Sequence, residues 1–405
     1  MSTRPMVRFL DRTTPPHIAT LILLAGLSAL SMNVFLPSLP NIADHFQADY
    51  RLIQLSVALY LGVNAVMQIF VGPLSDRYGR RPVLLWGIVL FMIATLGCLI
   101  APTVETFLLA RMAQAIIAVG MVLSRAIVRA MVPQEEAASM MAYVTMGMAV
   151  VPMVGPAIGG VLDDAFGWQA SFWLLIILGA ALFALIYSDL GETAQSRPTS
   201  FRAQFAEYPE LLSARRFWGY CMSSAFASGA FFAYLGGAPY VGTEVFGMIP
   251  AQLGFYFGAP AVGYFLGNWI SGLYSVRFGI NRMILWGCLL TLAGLLVSLT
   301  MDLIGLKTAL SFFGFMTFVG LGNGMVLPNA TAGMLSVRPH LAGTASGLGG
   351  AMMLGGGAAL SAFAGVVLTP GSGAAPLIWL MTLTSVLALV AIIYTIRRDR
   401  QLAGR

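Results

Sequence analysis

The sequence predicts an all-α integral membrane protein with twelve transmembrane helices in two parallel six-helix halves. Three observations support this prediction. The chain of 405 residues is 58% hydrophobic and only 9% charged, whereas soluble domains carry about a quarter charged residues. Apolar runs long enough to cross a bilayer recur along the whole chain. A charged loop between two of these runs occurs a second time, 200 residues further on.

The apolar runs predict where the helices lie, because about 20 helical residues cross roughly 30 Å of hydrocarbon. The segments lie near residues 18–40, 52–74, 83–101, 107–130, 138–162, 168–188, 216–238, 252–275, 283–301, 308–330, 341–367 and 375–396. The first follows three arginines, as a signal peptide would, but it is long enough to span a bilayer and is predicted to be an uncleaved helix. An even number of spans places both termini on one side.

The basic residues predict which side that is. With the N-terminus in the cytoplasm, nineteen of the 22 basic residues fall in inner loops or at inner helix ends. Only Arg51 and Lys307 face outward, and Arg111 lies within the fourth span. This asymmetry is the positive-inside pattern of membrane proteins. We therefore expect a membrane protein with both termini in the cytoplasm, and no nucleic-acid partner despite the net charge of +6.

A long polar segment separates the first six spans from the last six. The predicted organisation is an N-terminal half over 1–190, a cytoplasmic linker over 191–216 and a C-terminal half over 217–405. The repeated loops, GPLSDRYGRRP at 72–82 and GLYSVRFGINR at 272–282, indicate that the halves arose by duplication. Two parallel repeats favour a binding site near the midplane, between the halves.

Several motifs resemble signatures of the major facilitator superfamily. The loop at 72–82 resembles the family's sequence between helices 2 and 3, and LLARMAQAIIAVG (108–120) resembles its arginine-bearing fourth helix. GMAVVPMVGPAIGG (147–160) resembles the Gly-Pro motif of the fifth helix, which is associated with antiporters. Bcr/CflA-type drug-resistance transporters are similar in VFLPSLP (34–40), SRAIVRAMVP (124–133) and GWQASFWLL (167–175). The resemblance implies drug/proton antiport by alternating access.

The resemblance also implies a cytoplasmic gate that holds the two halves together in the outward-facing state. Its candidate residues are Gly72, Asp76, Arg77, Gly79, Arg80, Arg81 and Arg129. A topology anchor is the alternative, because each arginine attracts anionic lipid by about 1 kcal/mol. The second loop lacks the acid, with Val276 in its place, which favours the gate. Ala130 stands where the family has an acid, which leaves Glu135 or Glu136 as substitutes or a gate that is weaker or differently connected.

Arg111 is the basic residue deepest inside a span, where a charge costs several kcal/mol unless it is paired or hydrated. The resemblance implies that it lies in the central cavity, linked to helix 1 and to protonation. A side chain that snorkels to the interface is the alternative. Where the family commonly has an aspartate on helix 1, the sequence SMNVFLP has Asn33. Its amide does not titrate, but it can donate and accept hydrogen bonds, to cargo or to Arg111.

Proton coupling therefore has no obvious carrier in the sequence, because all sixteen acids fall in loops or at span ends. One alternative is a peripheral acid, and a second is an uncoupled facilitator. In a third, Asn33 retains the geometry of an ancestral acid. The candidate peripheral acids are Asp44, Glu105, Asp163, Asp164 and Glu244.

The fifth span predicts a hinge, formed by Pro152, Gly155, Pro156, Gly159 and Gly160. Proline removes a backbone hydrogen bond and bends a helix. Gly155 and Gly159 are four residues apart, so they share one face and permit close helix approach. Ordinary small-residue packing is the alternative to a hinge.

Polar and aromatic side chains within the spans are candidates to contact cargo. Tyr60, Asn64 and Gln68 recur every four residues and predict one polar face on the second span, turned either to the cavity or to neighbouring helices. Methionines suit an adaptable pocket, although each one is equally a packing residue. The candidate cavity residues are Asn33, Tyr60, Asn64, Arg111, Gln114, Met146, Phe231, Tyr234, Tyr256 and Asn268.

Together with the resemblance, these patterns predict a monomeric exporter in the bacterial inner membrane, and the resemblance implies small amphipathic drugs such as chloramphenicol, florfenicol or bicyclomycin as its cargo. Two alternatives stay open. One is an uncoupled facilitator or uptake carrier of a small metabolite with the same fold. The other, a membrane enzyme, would need a cluster of His, Asp or Glu at membrane depth, and the sequence has none. No cofactor is predicted, because the chain has no Walker loop and its three histidines are far apart. The proton gradient is the expected energy source.

Overall fold

The computed structural model of the chain describes residues 8–131, 151, 154–193, 208–338 and 342–403. Over these ranges the backbone is helical almost throughout and contains no strand, which confirms the all-α prediction. Nine helical segments in the described ranges are long and apolar enough to cross a membrane. Much of the predicted fifth span lies outside them. The predicted seventh and eighth spans form helices rich in glycine, serine and tyrosine, so their hydropathy is lower.

The helices of the first half follow the predicted spans. They are α1 (Ile18–Asn33), α2 (Leu39–Phe46), α3 (Tyr50–Tyr78), α4 (Arg80–Leu99), α5 (Val104–Gln114), α6 (Ala118–Met131), α7 (154–166) and α8 (Gln169–Asp189). The first span is divided between α1 and α2, because Pro37 and Pro40 have no N–H to continue the helical hydrogen bonds. A short 3₁₀ turn, Ala115–Ile117, divides the fourth span between α5 and α6.

The second half repeats this arrangement after a short connecting helix. Its helices are α9 (Tyr208–Leu212), α10 (Arg215–Tyr240), α11 (Pro250–Tyr256), α12 (Ala259–Phe278), α13 (Ile280–Leu303), α14 (Met316–Val337), α15 (Ala342–Val367) and α16 (Ala375–Ala403). The eighth span is interrupted between α11 and α12, just before Pro260. Single π-helical turns extend α10 and precede α14.

The repeated loops have the same backbone conformation in both halves. Gly79 has φ +91° and Gly279 has φ +83°, values that favour glycine because a Cβ is strained there. Each glycine N–H donates to the carbonyl four residues earlier, that of Ser75 or Ser275, at 2.9 Å. The sequence repeat is therefore also a structural repeat.

The two loops and the end of α16 define what we call the arginine-rich end of the bundle; the side where α2 and α11 lie is the opposite end. One apolar cluster lies within the first half and another within the second. A third cluster contains residues of both halves, among them Phe35, Trp168, Tyr234 and Phe313. The halves thus share an apolar core at the opposite end.

Candidate functional site

Arg111 lies at the centre of the first half with none of its surface exposed. It is carried by α5, whose start is fixed at Thr103, where the side-chain oxygen caps the N–H of Thr106. The side chain turns toward α1 and α3, and this excludes the snorkelling arrangement. Its guanidinium carbon lies 4.1 Å from the ring centre of Phe35 and 4.5 Å from that of Tyr60.

Uncharged groups stabilise the Arg111 guanidinium. One terminal nitrogen, Nη1, donates to the backbone carbonyl of Ser31 at 3.3 Å and to the side-chain oxygen of Gln114. No carboxylate of the described residues lies within ion-pair distance. Nε and Nη2 are buried and have no hydrogen-bond partner in the described part of the chain. The faces of two electron-rich rings and two oxygen atoms therefore stabilise the positive charge. The N–H groups on Nε and Nη2 remain available as donors.

Two further polar side chains extend this network. Gln114 donates through Nε2 to the hydroxyl of Thr95 at 2.7 Å, and Thr95 donates to the carbonyl of Phe91 on α4. On the other side, the Tyr60 hydroxyl lies 2.7 Å from that of Ser31. The network ties α1, α3, α4 and α5 together around the buried guanidinium of Arg111.

Asn33 is fully buried but is not bonded to Arg111, so the expected direct link between them is not formed in this structure. Its Nδ2 donates to the carbonyl of Ala29 at 2.8 Å. Its Oδ1 is buried and has no partner among the described residues. A Cβ added at Gly155 would lie 3.9 Å from the Asn33 Cβ, so Asn33 lies on the α7 side of α1.

The predicted polar face of α3 is present. Gln68 donates to Asn64 one turn away at 3.4 Å, and its oxygen approaches the backbone of Gly350 on α15. Gln54 is not among the predicted cavity residues, but it is 1% exposed and donates to the Ser361 carbonyl of α15 at 2.6 Å. The sequence signal that could have identified it is the presence of a glutamine inside an apolar span. At Gln54 and Gln68, α3 meets the second half, whereas Tyr60 contacts Arg111 within the first half.

In the second half, the predicted aromatic residues belong to one cluster. Tyr234 is fully buried, and its ring centre lies 4.9 Å from that of Phe257. The Phe231 ring stacks on that of Tyr234, with ring centres 6.5 Å apart. The ring centres of Tyr256 and Phe313 are 5.4 Å apart. The Tyr234 hydroxyl has no partner in the described ranges. Asn268 lies apart from this cluster, on α12, where it donates to the Tyr264 carbonyl at 2.8 Å.

The glycines of α7 allow close approach on two sides. A Cβ at Gly159 would collide with the Val34 carbonyl, and one at Gly155 would lie 3.0 Å from the Leu30 side chain. The two glycines therefore share one face, as predicted, and this face is turned to α1. A Cβ at Gly160 would instead collide with the Pro250 carbonyl of the second half. The backbone of Pro156 is similarly close to Gly254. Pro152 and Met146 lie outside the described residues.

At the predicted gate, Arg80 and Arg81 contact the end of α8 in their own half. Their backbone N–H groups donate to the Glu192 carboxylate at 3.0 and 3.3 Å. The Arg81 side chain also donates to the carbonyls of Leu190 and Tyr187. The Arg77 side chain is exposed. At Gly72 a Cβ would meet no atom within 4 Å, so no neighbouring segment of the described chain packs closely on this glycine. The side chains of Asp76 and Arg129, and the whole of Glu135 and Glu136, lie outside the described part of the structure.

Among the five candidate peripheral acids, Asp163 alone is buried, with 5% of its surface exposed. It lies one residue beyond the predicted fifth span, against the junction of α1 and α2. Asn41 donates to its carboxylate at 3.0 Å, and the Ser38 hydroxyl lies near it. Burial raises the pKa of Asp163, and the neighbouring Asp164 adds to this effect. Asp163 is thus the candidate acid best disposed to hold a proton.

Comparison with known proteins places this geometry in a family. Residues 21–362 match the Major Facilitator Superfamily. The uncharacterized MFS-type transporter YdgK of Bacillus subtilis is 32% identical over 91% of this chain and 92% of its own. A chloramphenicol resistance protein of Pseudomonas aeruginosa is 30% identical over 83% of this chain and 82% of its own. This similarity confirms the predicted resemblance to drug-resistance transporters.

The fold has solved counterparts as well. The structure of a bacterial homolog to the human lysosomal transporter Spinster, in an inward-facing and occupied conformation, has a TM-score of 0.73. It is 17% identical and covers 95% of this chain and 96% of that chain. The family match over most of the chain, together with relatives at 30% identity and above, shows that this protein belongs to the Major Facilitator Superfamily, whose members are multi-pass membrane transporters.

Proposed function

We propose that this protein exports small, amphipathic, mostly apolar drugs of the chloramphenicol, florfenicol or bicyclomycin kind across the bacterial inner membrane by alternating access. Both termini lie in the cytoplasm, as the distribution of arginines favours. Protons moving inward drive the export. Similarity to a chloramphenicol resistance protein supports the class of cargo.

The observation that carries this proposal is the buried Arg111, which retains unpaired N–H groups at the centre of the first half. A cation that lacks a paired carboxylate at membrane depth is costly, and charged groups in such positions mark substrate pathways. Carbonyl, hydroxyl and nitro oxygens of a small drug would accept from these N–H groups. The rings of Phe35 and Tyr60, which lie against the same guanidinium, would supply apolar contacts to the drug.

Alternating access requires that each end of the bundle open in turn, and this structure has the halves joined at the end opposite to the arginine-rich one. There the Tyr50 hydroxyl donates to the Gly236 carbonyl at 3.2 Å, and the Ala251 N–H donates to Asp164 at 3.0 Å. At the arginine-rich end, Arg80 and Arg81 contact their own half. A latch made by this loop between the halves belongs to the other conformation of the cycle.

Asp163 is the proposed proton carrier. It contacts Ser38 and Asn41, which lie in the second part of the first span. Ser31 and Asn33 lie at the end of α1, in the first part of the same span. A change in its charge therefore acts on the same chain segment that provides a carbonyl to Arg111. Protonation at Asp163 and cargo binding at Arg111 are coupled through the first span.

A second function, uncoupled facilitation or uptake of a small metabolite, is favoured by one observation. The position at which the family commonly carries an acid is Asn33, and no described carboxylate pairs with Arg111. In this alternative, Asp163 is only a structural cap for the junction of α1 and α2.

The experiment uses protein reconstituted in liposomes that contain a trapped pH dye. Chloramphenicol or florfenicol is added, and drug and proton movements are recorded for the wild type, Asp163→Asn and Arg111→Ala. Asp44→Asn, an exposed acid on α2, is the matched control. Drug-driven proton flux that Asp163→Asn abolishes and Asp44→Asn retains supports the proposal. Drug movement without proton flux in the wild type supports the facilitator, and no drug movement at all contradicts the assignment of these drugs as cargo.

A further inference from the structure

A cavity of about 670 Å³ lies at the arginine-rich end of the second half, between the start of α13 and the end of α16. Three arginines line its polar side, Arg282, Arg397 and Arg400. Leu285 and Ile393 are among the residues that line its apolar side. This cavity is remote from Arg111 and has no part in the proposed transport site.

The cavity has an excess of positive charge. Among the described lining residues the one acid is Asp399, which is already bound by Arg216 at 2.6 Å and by the Asn281 amide at 2.7 Å. None of the three lining arginines has a described carboxylate within ion-pair distance. The paired acid therefore leaves the positive charge of these three side chains uncompensated within the described part of the molecule.

The internal repeat indicates what kind of group fits this position. In the first half, the helix that follows Gly79 starts at a carboxylate, because Glu192 accepts from the N–H groups of Arg80 and Arg81. The corresponding helix of the second half, α13, follows Gly279 in the same conformation, and among the described residues no side chain accepts from its first N–H groups. The N-terminus of a helix favours an anion. An external anion would thus take the place that Glu192 holds in the first half.

The surroundings of the cavity are those of a membrane surface. Trp286 is 39% exposed and Tyr394 is 47% exposed, and Phe278 packs on Trp286 with ring centres 5.2 Å apart. Aromatic rings of this kind concentrate where lipid headgroups meet hydrocarbon. A ligand that reaches the three arginines from this side would have an anionic head and an apolar tail.

We propose that this cavity binds the phosphate headgroup of an anionic phospholipid. The phosphate oxygens accept from Arg282, Arg397 and Arg400 and from the first N–H groups of α13, and the acyl chains lie against the apolar side. Guanidinium groups suit phosphate because their planar donors match its oxygens. Basic clusters at this depth are typical lipid headgroup sites.

The test measures binding on the purified full chain in detergent by native mass spectrometry, without transport, so its outcome does not depend on the proposed function. Phosphatidylglycerol is titrated against phosphatidylcholine and against inorganic phosphate. One variant combines Arg282→Gln, Arg397→Gln and Arg400→Gln. The matched control combines Arg215→Gln, Arg277→Gln and Arg398→Gln, which remove the same charge at the same end from positions outside the cavity.

We expect one phosphatidylglycerol per chain, bound about tenfold more weakly by the cavity variant and unchanged in the control variant. Equal weakening in both variants would mean a diffuse charge effect and would overturn the site. Equal binding of phosphatidylcholine would overturn the requirement for an anionic lipid. Displacement of the lipid by an equal concentration of inorganic phosphate would identify a free-phosphate site in place of a lipid site.

Discussion

The guanidinium carbon of Arg111 lies 4.1 Å from the centre of the Phe35 ring, at the point where α1 ends. Phe35 begins the 3₁₀ turn that leads into α2, so it belongs to the break in the first span. Tyr60 supplies the second ring, at 4.5 Å. A cation held by rings keeps its hydrogen-bond donors free more readily than one held by a carboxylate. This arrangement makes the buried charge available to a neutral, oxygen-bearing ligand.

Replacement of Tyr60 separates the contribution of its ring from that of its hydroxyl. Tyr60→Leu removes the ring from the guanidinium, and we expect a loss of about 2 kcal/mol, the usual size of a desolvated cation–π contact. Tyr60→Phe keeps the ring and removes only the bond to Ser31, so it should retain most of the stability. Thermal unfolding in detergent and drug resistance of expressing cells are the measurements. Equal loss in both variants would show that the hydroxyl, not the ring, matters.

The sequence predicted the location of Arg111 but not its partners. A single charge inside an apolar span indicates a buried functional group, whatever stabilises it. The partners are two rings, the backbone carbonyl of Ser31 and the amide of Gln114, none of which carries a charge. Aromatic residues are abundant in membrane helices, so no pattern distinguishes Phe35 from its neighbours.

Other features depended on how distant segments meet. Apolar length predicted the helices well, and the repeat of Gly79 and Gly279 predicted two equivalent turns. The bond between Glu192 and the start of α4 joins residues more than a hundred positions apart, and only the fold brings them together. The burial of Asp163 likewise depends on the break of the first span, which turns Asn41 toward α7.

Gly160 controls how closely the two halves meet at the opposite end. Gly160→Ala places a methyl group against the Pro250 carbonyl, and backbone cannot move aside as a flexible side chain does. We expect this variant to open the contact between α7 and α11. A Gln54→Cys reporter, buried between α3 and α15 at the same end of the bundle, should then react several-fold faster with a maleimide. The natural cysteines are buried and give little background.

Gly355→Ala is the matched control for this experiment, because a Cβ at Gly355 meets nothing within 4 Å. It should leave the labelling rate of the reporter unchanged. If Gly160→Ala labels no faster than Gly355→Ala, the two halves separate elsewhere, and α7 does not form the closing contact.

Asp163 predicts a pH dependence of stability. Burial raises its pKa above the ordinary value of 3.8. Between the ordinary and the raised value, the folded protein binds a proton that the unfolded chain has released, so the free energy of unfolding falls as the pH rises. Asp163→Asn should remove this slope, and Asp44→Asn should retain it. Unfolding midpoints measured from about pH 4 upward test the sign. A slope of opposite sign would mean that the polar contacts with Asn41 and Ser38 outweigh burial.

The two glycine turns allow the contribution of the Glu192 cap to be measured against an internal reference. Gly79→Ala and Gly279→Ala both force a side chain into a glycine-only conformation, which costs about 1–3 kcal/mol. At Gly79 the new methyl group would also collide with the Glu192 carboxylate, whereas at Gly279 it meets nothing within 4 Å. We therefore expect Gly79→Ala to lower the unfolding midpoint further. In a Glu192→Ala background the collision is absent, so the two substitutions should then cost nearly the same. A difference that persists in that background would show that Gly79 is constrained by something other than the cap.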